Sequence, residues 1–442
     1  MDEVFQAFDI APVTQTETDA LPSCFAVTDL AALSMGAVGA ALANLIQARG
    51  LAARPQVSVD RRLASLWFGW SIHPQGWDLG WDWDPVAGDY LARDGWIRLH
   101  TNAPHHRAAA LRVLECPADR DTVAQAIRRW EIDALESAIV AAGGAAAAMR
   151  DRAAWLAHPQ GAAVASEPLV QWSHRPGALR DHGGTLARPL QGLRVLDLTR
   201  VLAGPIGTRT LAGFGAEVLR IDPPAWDEPG VIPEVTLGKR CARLDLKSAT
   251  GVQTLRRLIA GADVLVHGYR PGALDAILPQ SERQALAPNL IEVCHNAYGW
   301  TGPWAGRRGF DSLLQMSSGI AQAGMQWKGA DNPTPLPVQA LDHATGYFIA
   351  ASVITALTRA AQGRGLYSAR LSLARTAELL ATMPGDDSGT LGGSSPTDLN
   401  HQLEHTSWGP ARRLSPAITI PGTPMTWTQG ATTLGAHDPH WT

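Results

Sequence analysis

The chain has 442 residues, 45% of them hydrophobic and 18% charged, enough for two or three domains of ordinary globular composition. Its net charge of -4 gives no electrostatic reason to bind nucleic acid or an anionic membrane, so an anionic ligand would have to be held by a local site. Four scattered cysteines, Cys24, Cys116, Cys241 and Cys294, show no CxxC or Cys/His spacing, which argues against zinc and iron–sulfur sites and for reduced thiols in a cytoplasmic protein.

The opening MDEVFQAFD is acidic and lacks the positive region of a secretory signal. Apolar runs at Leu30–Ile46 and Ala344–Ala361 are interrupted by Ser, Asn, Gly or Thr, and read as buried core helices rather than membrane spans. They belong to an internal repeat, one copy starting at Ala26 and the other at Gln339. Each copy has an Asp (Asp29, Asp342) just ahead of a small-residue-rich helix, then an Arg-Gly turn, an alternating strand (QVSVD, ARLSL) and a short helix. Asp in that position is expected to cap its own helix.

A Trp- and Gly-rich connector, WFGWSIHPQGWDLGWDWDP, follows the first copy. No basic residues interleave with its tryptophans, so packing is expected of them rather than base stacking. Residues 86–166 then mix a strand, DGWIRLHT, with helical segments, and read as a small α+β domain.

From Leu193 strands alternate with helices: RVLDL, a helix over Ile206–Phe214, AEVLRID, a Ser-capped helix over Ser248–Ala260, DVLVHGY and NLIEVCHNA. The pattern predicts an α/β fold, a Rossmann-like parallel sheet joined to the small α+β domain. The predicted division is 1–85 (repeat and connector), 86–190 (small domain and linker), 191–338 (sheet domain), 339–380 (second repeat) and 381–442 (a Gly/Pro/Ser/Thr-rich tail, wrapping or partly disordered).

In an open parallel sheet a ligand sits at the carboxyl ends of the strands. The loops there, TRVLAGP, DPPAWDEPG, HGYRPG and NAYGWTGP, carry neither GxGxxG nor a P-loop. Two of the three lysines fall in GKRCARLDLK, either a phosphate-binding strip or a solvated strand edge. Asp311 precedes a helical run and reads first as its cap, and Asp331 lies in the polar loop KGADNPTPLP.

LQGLRVLDLTRVLAGPIGTRTLAGFGAEVLRIDPP, LGKRCARLDLKS, ADVLVHGYRPGAL and NAYGWTGPWAGRRGFDSLLQMSSG together resemble the family III CoA transferases. That family includes formyl-CoA and carnitine CoA-transferases and alpha-methylacyl-CoA racemase. The resemblance covers about 190–380, and the block order differs from the family's: repeat unit and small domain precede the sheet domain instead of following it. It implies an acyl-CoA transferase acting on a coenzyme A thioester and a carboxylic acid acceptor, with no permanently bound cofactor or metal. By motif, CoA would lie against Val201, Leu202, Pro223, Leu244, Asp245, Leu246, Lys247, Gly268, Tyr269, Arg270, Asn296 and Tyr298. Asp331 matches the transferase nucleophile, with Asn332 in place of the motif's Gly. Asp311 matches the racemase aspartate, with Phe310 in place of the preceding His. A racemase or isomerase and a non-catalytic CoA-binding protein remain the alternatives. The family's interlocked dimers imply either self-association or a monomeric pseudo-dimer in which the two repeat helices lie together.

Overall fold

The structure is a computed structural model describing all residues except 81–82, 226 and 386–388. Part of the Trp-rich connector (Trp81, Asp82), Trp226 of the DPPAWDEPG loop and a short stretch of the tail therefore lie outside the described residues.

A seven-stranded sheet runs in the order Lys239–Arg243, Glu217–Asp222, Arg194–Leu198, Val264–His267, Ile291–Asn296, Leu366–Ser372, Gln171–Arg175. The first six strands are parallel, and Gln171–Arg175 closes one edge antiparallel to Leu366–Ser372. Their near-continuous Val, Leu and Ile content suits burial on both faces. The chain builds outward from Arg194–Leu198 on one side, then returns to lay Val264–His267 on the other. The order reverses between those two strands, so the loops after Leu198 and after His267 flank the switch point.

Sequence reasoning left the Lys239–Arg243 segment open between two roles. It is the other edge strand, yet Lys239 itself is wholly buried, donating to Asp197 Oδ2 (3.0 Å) and the Pro205 carbonyl (2.8 Å). That lysine is tied into the core and unavailable to a phosphate.

The two repeat copies form 22-residue helices, Val27–Ala48 and Ala340–Ala361, packed against one another in the main core. Both are long and apolar enough to cross a membrane, and both are buried within the protein. They begin alike. Ala26 (φ −73°, ψ 57°) and Gln339 (φ −76°, ψ 64°) are centres of inverse γ-turns, closed by Val27 N–H to Phe25 O and Ala340 N–H to Val338 O, each 2.8 Å. Neither Asp caps its own helix as expected: each sits in the third helical position, where Asp29 pairs with Arg61 and Asp342 accepts the Ala203 amide. The copies then part company. The second copy's strand joins the large sheet, whereas Ser58–Val59 of the first joins Thr14–Gln15 and Ile418–Thr419 in a three-stranded sheet.

The helix Ala203–Gly213 crosses Ala340–Ala361 at a pair of glycines. A Cβ on Gly207 would stand 2.7 Å from the Gly346 carbonyl oxygen, and one on Gly346 would stand 2.5 Å from that of Ala203. The backbones touch because neither residue has a side chain.

The antiparallel strands Gly88–Leu91, Trp96–Leu99 and Ala146–Ala148, with the helices Pro104–Leu114, Arg120–Ile127 and Ile132–Ala141, enclose a separate small core. The tail is ordered wherever it is described. Gly409–Arg413 pairs with Ile72–Pro74 of the connector, and Trp427 stacks on Trp67. Trp77 stacks on Trp408, so these connector tryptophans serve packing.

Candidate active site

Several of the residues matched to CoA lie at the switch point. Val201 joins the Arg194–Leu198 strand to the helix that begins at Ala203, and its φ of 65° is left-handed. A β-branched residue pays for that conformation in steric strain, and such strain persists where surrounding structure imposes it. Leu202 is buried as the cap residue of that helix. Across the switch point, Gly268 and Arg270 are exposed and Tyr269 is half-buried, with burial pushing its phenol above its usual range. Pro223 ends the neighbouring strand, and its carbonyl accepts from Arg243 Nη1 (2.7 Å). Leu244 and Leu246 pack inward, while Asp245 and Lys247 face solvent, the Asp245 carboxylate accepting the Lys247 amide (3.0 Å). Lys247 and Arg270 thus both stand at the carboxyl edge of the sheet.

Two matched residues have internal duties. The Asn296 side chain brackets a turn, donating to Gly299 O (2.7 Å) and accepting from Gly299 N (2.9 Å). Tyr298 is fully buried, with its hydroxyl 3.1 Å from Ser317 Oγ and the Arg307 guanidinium over its ring.

The two candidate aspartates differ sharply. Asp331 is exposed on a bend and takes part in no described hydrogen bond or ion pair. Asp311 is buried, and it does not cap the helix it opens. Its Oδ2 accepts the Leu341 amide (2.9 Å) and the Asp342 amide (3.0 Å), and its Oδ1 accepts Gln315 Nε2 (2.5 Å). Asp311 therefore caps the long helix Ala340–Ala361 from outside. The expectation of a local cap failed because the partner amides are about thirty residues away in sequence.

Asp342, buried beside Asp311, completes a carboxyl pair. Burial drives its pKa well above the usual carboxylate range, the charge of Asp311 adds to this, and the Ala203 amide opposes it. Burial also raises Asp311, against the pull of its three donors. Two carboxyls so close in a dry site resist ionising together. Next to them Phe310 lies flat against His100 of the small domain, centroids 3.6 Å apart, with His106 edge-on at 5.8 Å. Burial holds His100 down at about 4 and His106 at about 3, so both rings are neutral near pH 7.

Glu228, which the sequence gave no reason to single out, lines a small cavity with Arg200, Val201, Arg220, Asp222 and Asp227. Burial lifts its carboxyl to about 7, against the pull of Arg200 and Arg220. Only the fold, by bringing its loop beside Asp342, shows it belongs here.

The residues matched to CoA and the candidate carboxyls all fall within residues 190–408, the span matched by the model of CoA-transferase family III, while His100 and His106 lie outside it. Over that span, just under half of its length, the chain is similar to CoA-transferase family III. The succinyl-CoA:glutarate CoA-transferase of Mus musculus is 33% identical over 213 residues, 44% of this chain and 47% of the relative. The succinyl-CoA--D-citramalate CoA-transferase of Chloroflexus aurantiacus is 32% identical over 208 residues, 42% of this chain and 51% of the relative. The crystal structure of Rv3272 from Mycobacterium tuberculosis superposes with a TM-score of 0.41 at 28% identity, covering 44% of this chain and 57% of the other. The chain spans about half the length of these curated relatives.

Proposed function

We propose that the protein is a cytoplasmic acyl-CoA transferase that moves CoA from an acyl-CoA thioester to a carboxylic acid through an enzyme aspartyl intermediate. The observation that carries this reading is the family III match across the segment supplying every carboxyl-edge loop of the parallel sheet. An aspartate carboxylate attacks the thioester carbonyl, forming a mixed anhydride and releasing CoA thiolate. The thiolate returns to the aspartyl carbonyl, expels the donor's acyl group as a free carboxylate and leaves an enzyme-bound CoA thioester. The acceptor carboxylate then displaces the thiolate to form a second anhydride, and the thiolate attacks the acceptor's carbonyl, giving the new acyl-CoA and freeing the aspartate. Covalent catalysis of this kind divides one difficult transfer into easier steps. It needs water kept out, and the small domain, whose His100 lies against Phe310, is the proposed cover.

Asp331 is the proposed nucleophile, by its motif and its exposure on a proline-bounded loop. Lys247 and Arg270 are the proposed phosphate contacts. The test is intact-mass analysis after incubation with acyl-CoA donors, followed by a screen of carboxylate acceptors that starts from succinyl-CoA and glutarate. An adduct on Asp331, lost with all transfer in Asp331→Asn, is expected. Solvent deuterium entering the acyl α-carbon without any adduct would overturn the transfer reading.

A further inference from the structure

Glu228 stands out among the groups that this mechanism leaves unused. Its side chain faces a cavity of about 20 Å³, between the carboxyl ends of the Arg194–Leu198 and Glu217–Asp222 strands. Val201, Val231, Ile232, Val235 and Leu434 make up the apolar part of its wall. The carboxyl makes no described hydrogen bond, and the charges around it are largely committed elsewhere. Arg220 holds Asp222 through two bonds (2.8 and 2.9 Å), and Arg243 holds Asp227 through two more (2.7 and 2.9 Å). Arg200 and Asp342 are its remaining charged neighbours: Arg200 favours the ionised Glu228, and a charge on Glu228 in turn keeps Asp342 protonated. The strained Val201 shares the same wall, and Asp222 directly precedes Pro223, so the cavity adjoins two of the loops matched to CoA.

We propose that Glu228 is a further catalytic residue, whose carboxyl group donates a hydrogen bond from its place in the cavity wall to the thioester carbonyl oxygen. This inference rests on the transferase reading. As the nucleophile's C–O bond forms, the carbonyl π electrons move onto that oxygen, and the Glu228 O–H strengthens its bond to the growing negative charge. The C–S bond then breaks, the electron pair leaves with CoA as thiolate, and the proton stays on Glu228. A donor fixed in a partly apolar cavity is more effective than water, because it is already oriented when the charge develops. The half-apolar wall keeps the acid neutral to about pH 7, with Arg200, Arg220, Asp222, Asp227 and Asp342 the charged groups around it.

The test compares Glu228→Gln and Glu228→Ala with the wild-type chain, folding being checked by circular dichroism. Wild-type kcat is expected to fall above pH 7 as the acid ionises. Glu228→Gln, which keeps an N–H donor, should retain activity within about tenfold and lose that alkaline fall. Glu228→Ala should lose about 100-fold in kcat with little change in KM, the usual scale for deleting one donor to an oxyanion. Calorimetry in two buffers at pH 8 supplies a readout independent of turnover. Acetyl-CoA should take up a proton on binding wild type, free CoA should not, and Glu228→Gln should show no uptake. Wild-type activity in Glu228→Ala, or an alkaline fall that survives in Glu228→Gln, overturns the proposal while transfer stands. If no donor and acceptor pair exchanges CoA, proton uptake confined to the wild type fails the transfer reading and upholds the Glu228 contact. Its absence from the wild type overturns the contact.

Discussion

Asp311 shows how far one residue's role depends on what the fold brings to it. Asn at that position can accept with only one oxygen, so of three donors at least one is left unsatisfied in a dry site. Asp311→Asn is therefore expected to cost about 1–3 kcal/mol, seen as a lower denaturation midpoint, which exceeds the loss of an exposed cap. Asp342 should act in the opposite sense. Its carboxyl holds its proton in the folded state over a pH range where the unfolded chain has already released it. The folded state then binds more protons than the unfolded, so stability falls as pH rises from the ordinary carboxylate range up to the folded value. Thermal melts from pH 4 upward should show that decline in the wild type, and Asp342→Asn should flatten it. An unchanged slope would mean that the pair does not share a proton.

At the scale of elements, the crossing of Ala203–Gly213 with Ala340–Ala361 decides where the site sits. It sets the Ala203 amide against Asp342 and fixes the turn carrying Val201. Gly346→Ala would push a methyl group to 2.5 Å from a backbone oxygen that no rotamer change can move aside. A loss of about 1–3 kcal/mol is expected from such overpacking, and CoA transfer should fall further than stability explains because the Ala203 helix must shift. The β-strand and helix pattern from 193 to 296 was legible in the sequence, including the Ser248 cap on the Gly251 amide (3.0 Å). Period-two and 3.6-residue patterns report local burial, and there local burial and final burial agree. They do not report which sheet a strand joins, so the similar strands of the two repeat copies ended in different sheets.

On the scale of the whole molecule, Glu234 joins three distant parts of the chain. It is fully buried, is salt-bridged to Arg209, and accepts from Ser71 Oγ (2.6 Å), the Ile72 amide (3.2 Å) and Arg413 Nη1 (3.3 Å). Glu234→Gln leaves the buried Arg209 guanidinium without its counter-charge, while Arg413 keeps Glu404, and should cost about 3–5 kcal/mol in chemical denaturation. A monomeric pseudo-dimer requires the two repeat helices to lie together, and they pack against one another. Light scattering after size exclusion should give a single 47.1 kDa species, and a stable dimer would count against that arrangement.

The sequence by itself determined the classes of element, the repeat, the buried nature of the two long helices and the motifs aligned with CoA. These follow from local spacing and residue type, which act over a few residues whatever the rest of the chain does. Tertiary structure alone decided that Lys239 is a core ion pair, that Asp311 caps a helix about thirty residues away, and that Asp342 lies between Asp311 and the partly buried Glu228 in reach of both charges. The properties of a carboxyl or ammonium group are set by its distance from water and from other charges, and those distances do not exist until the chain has folded.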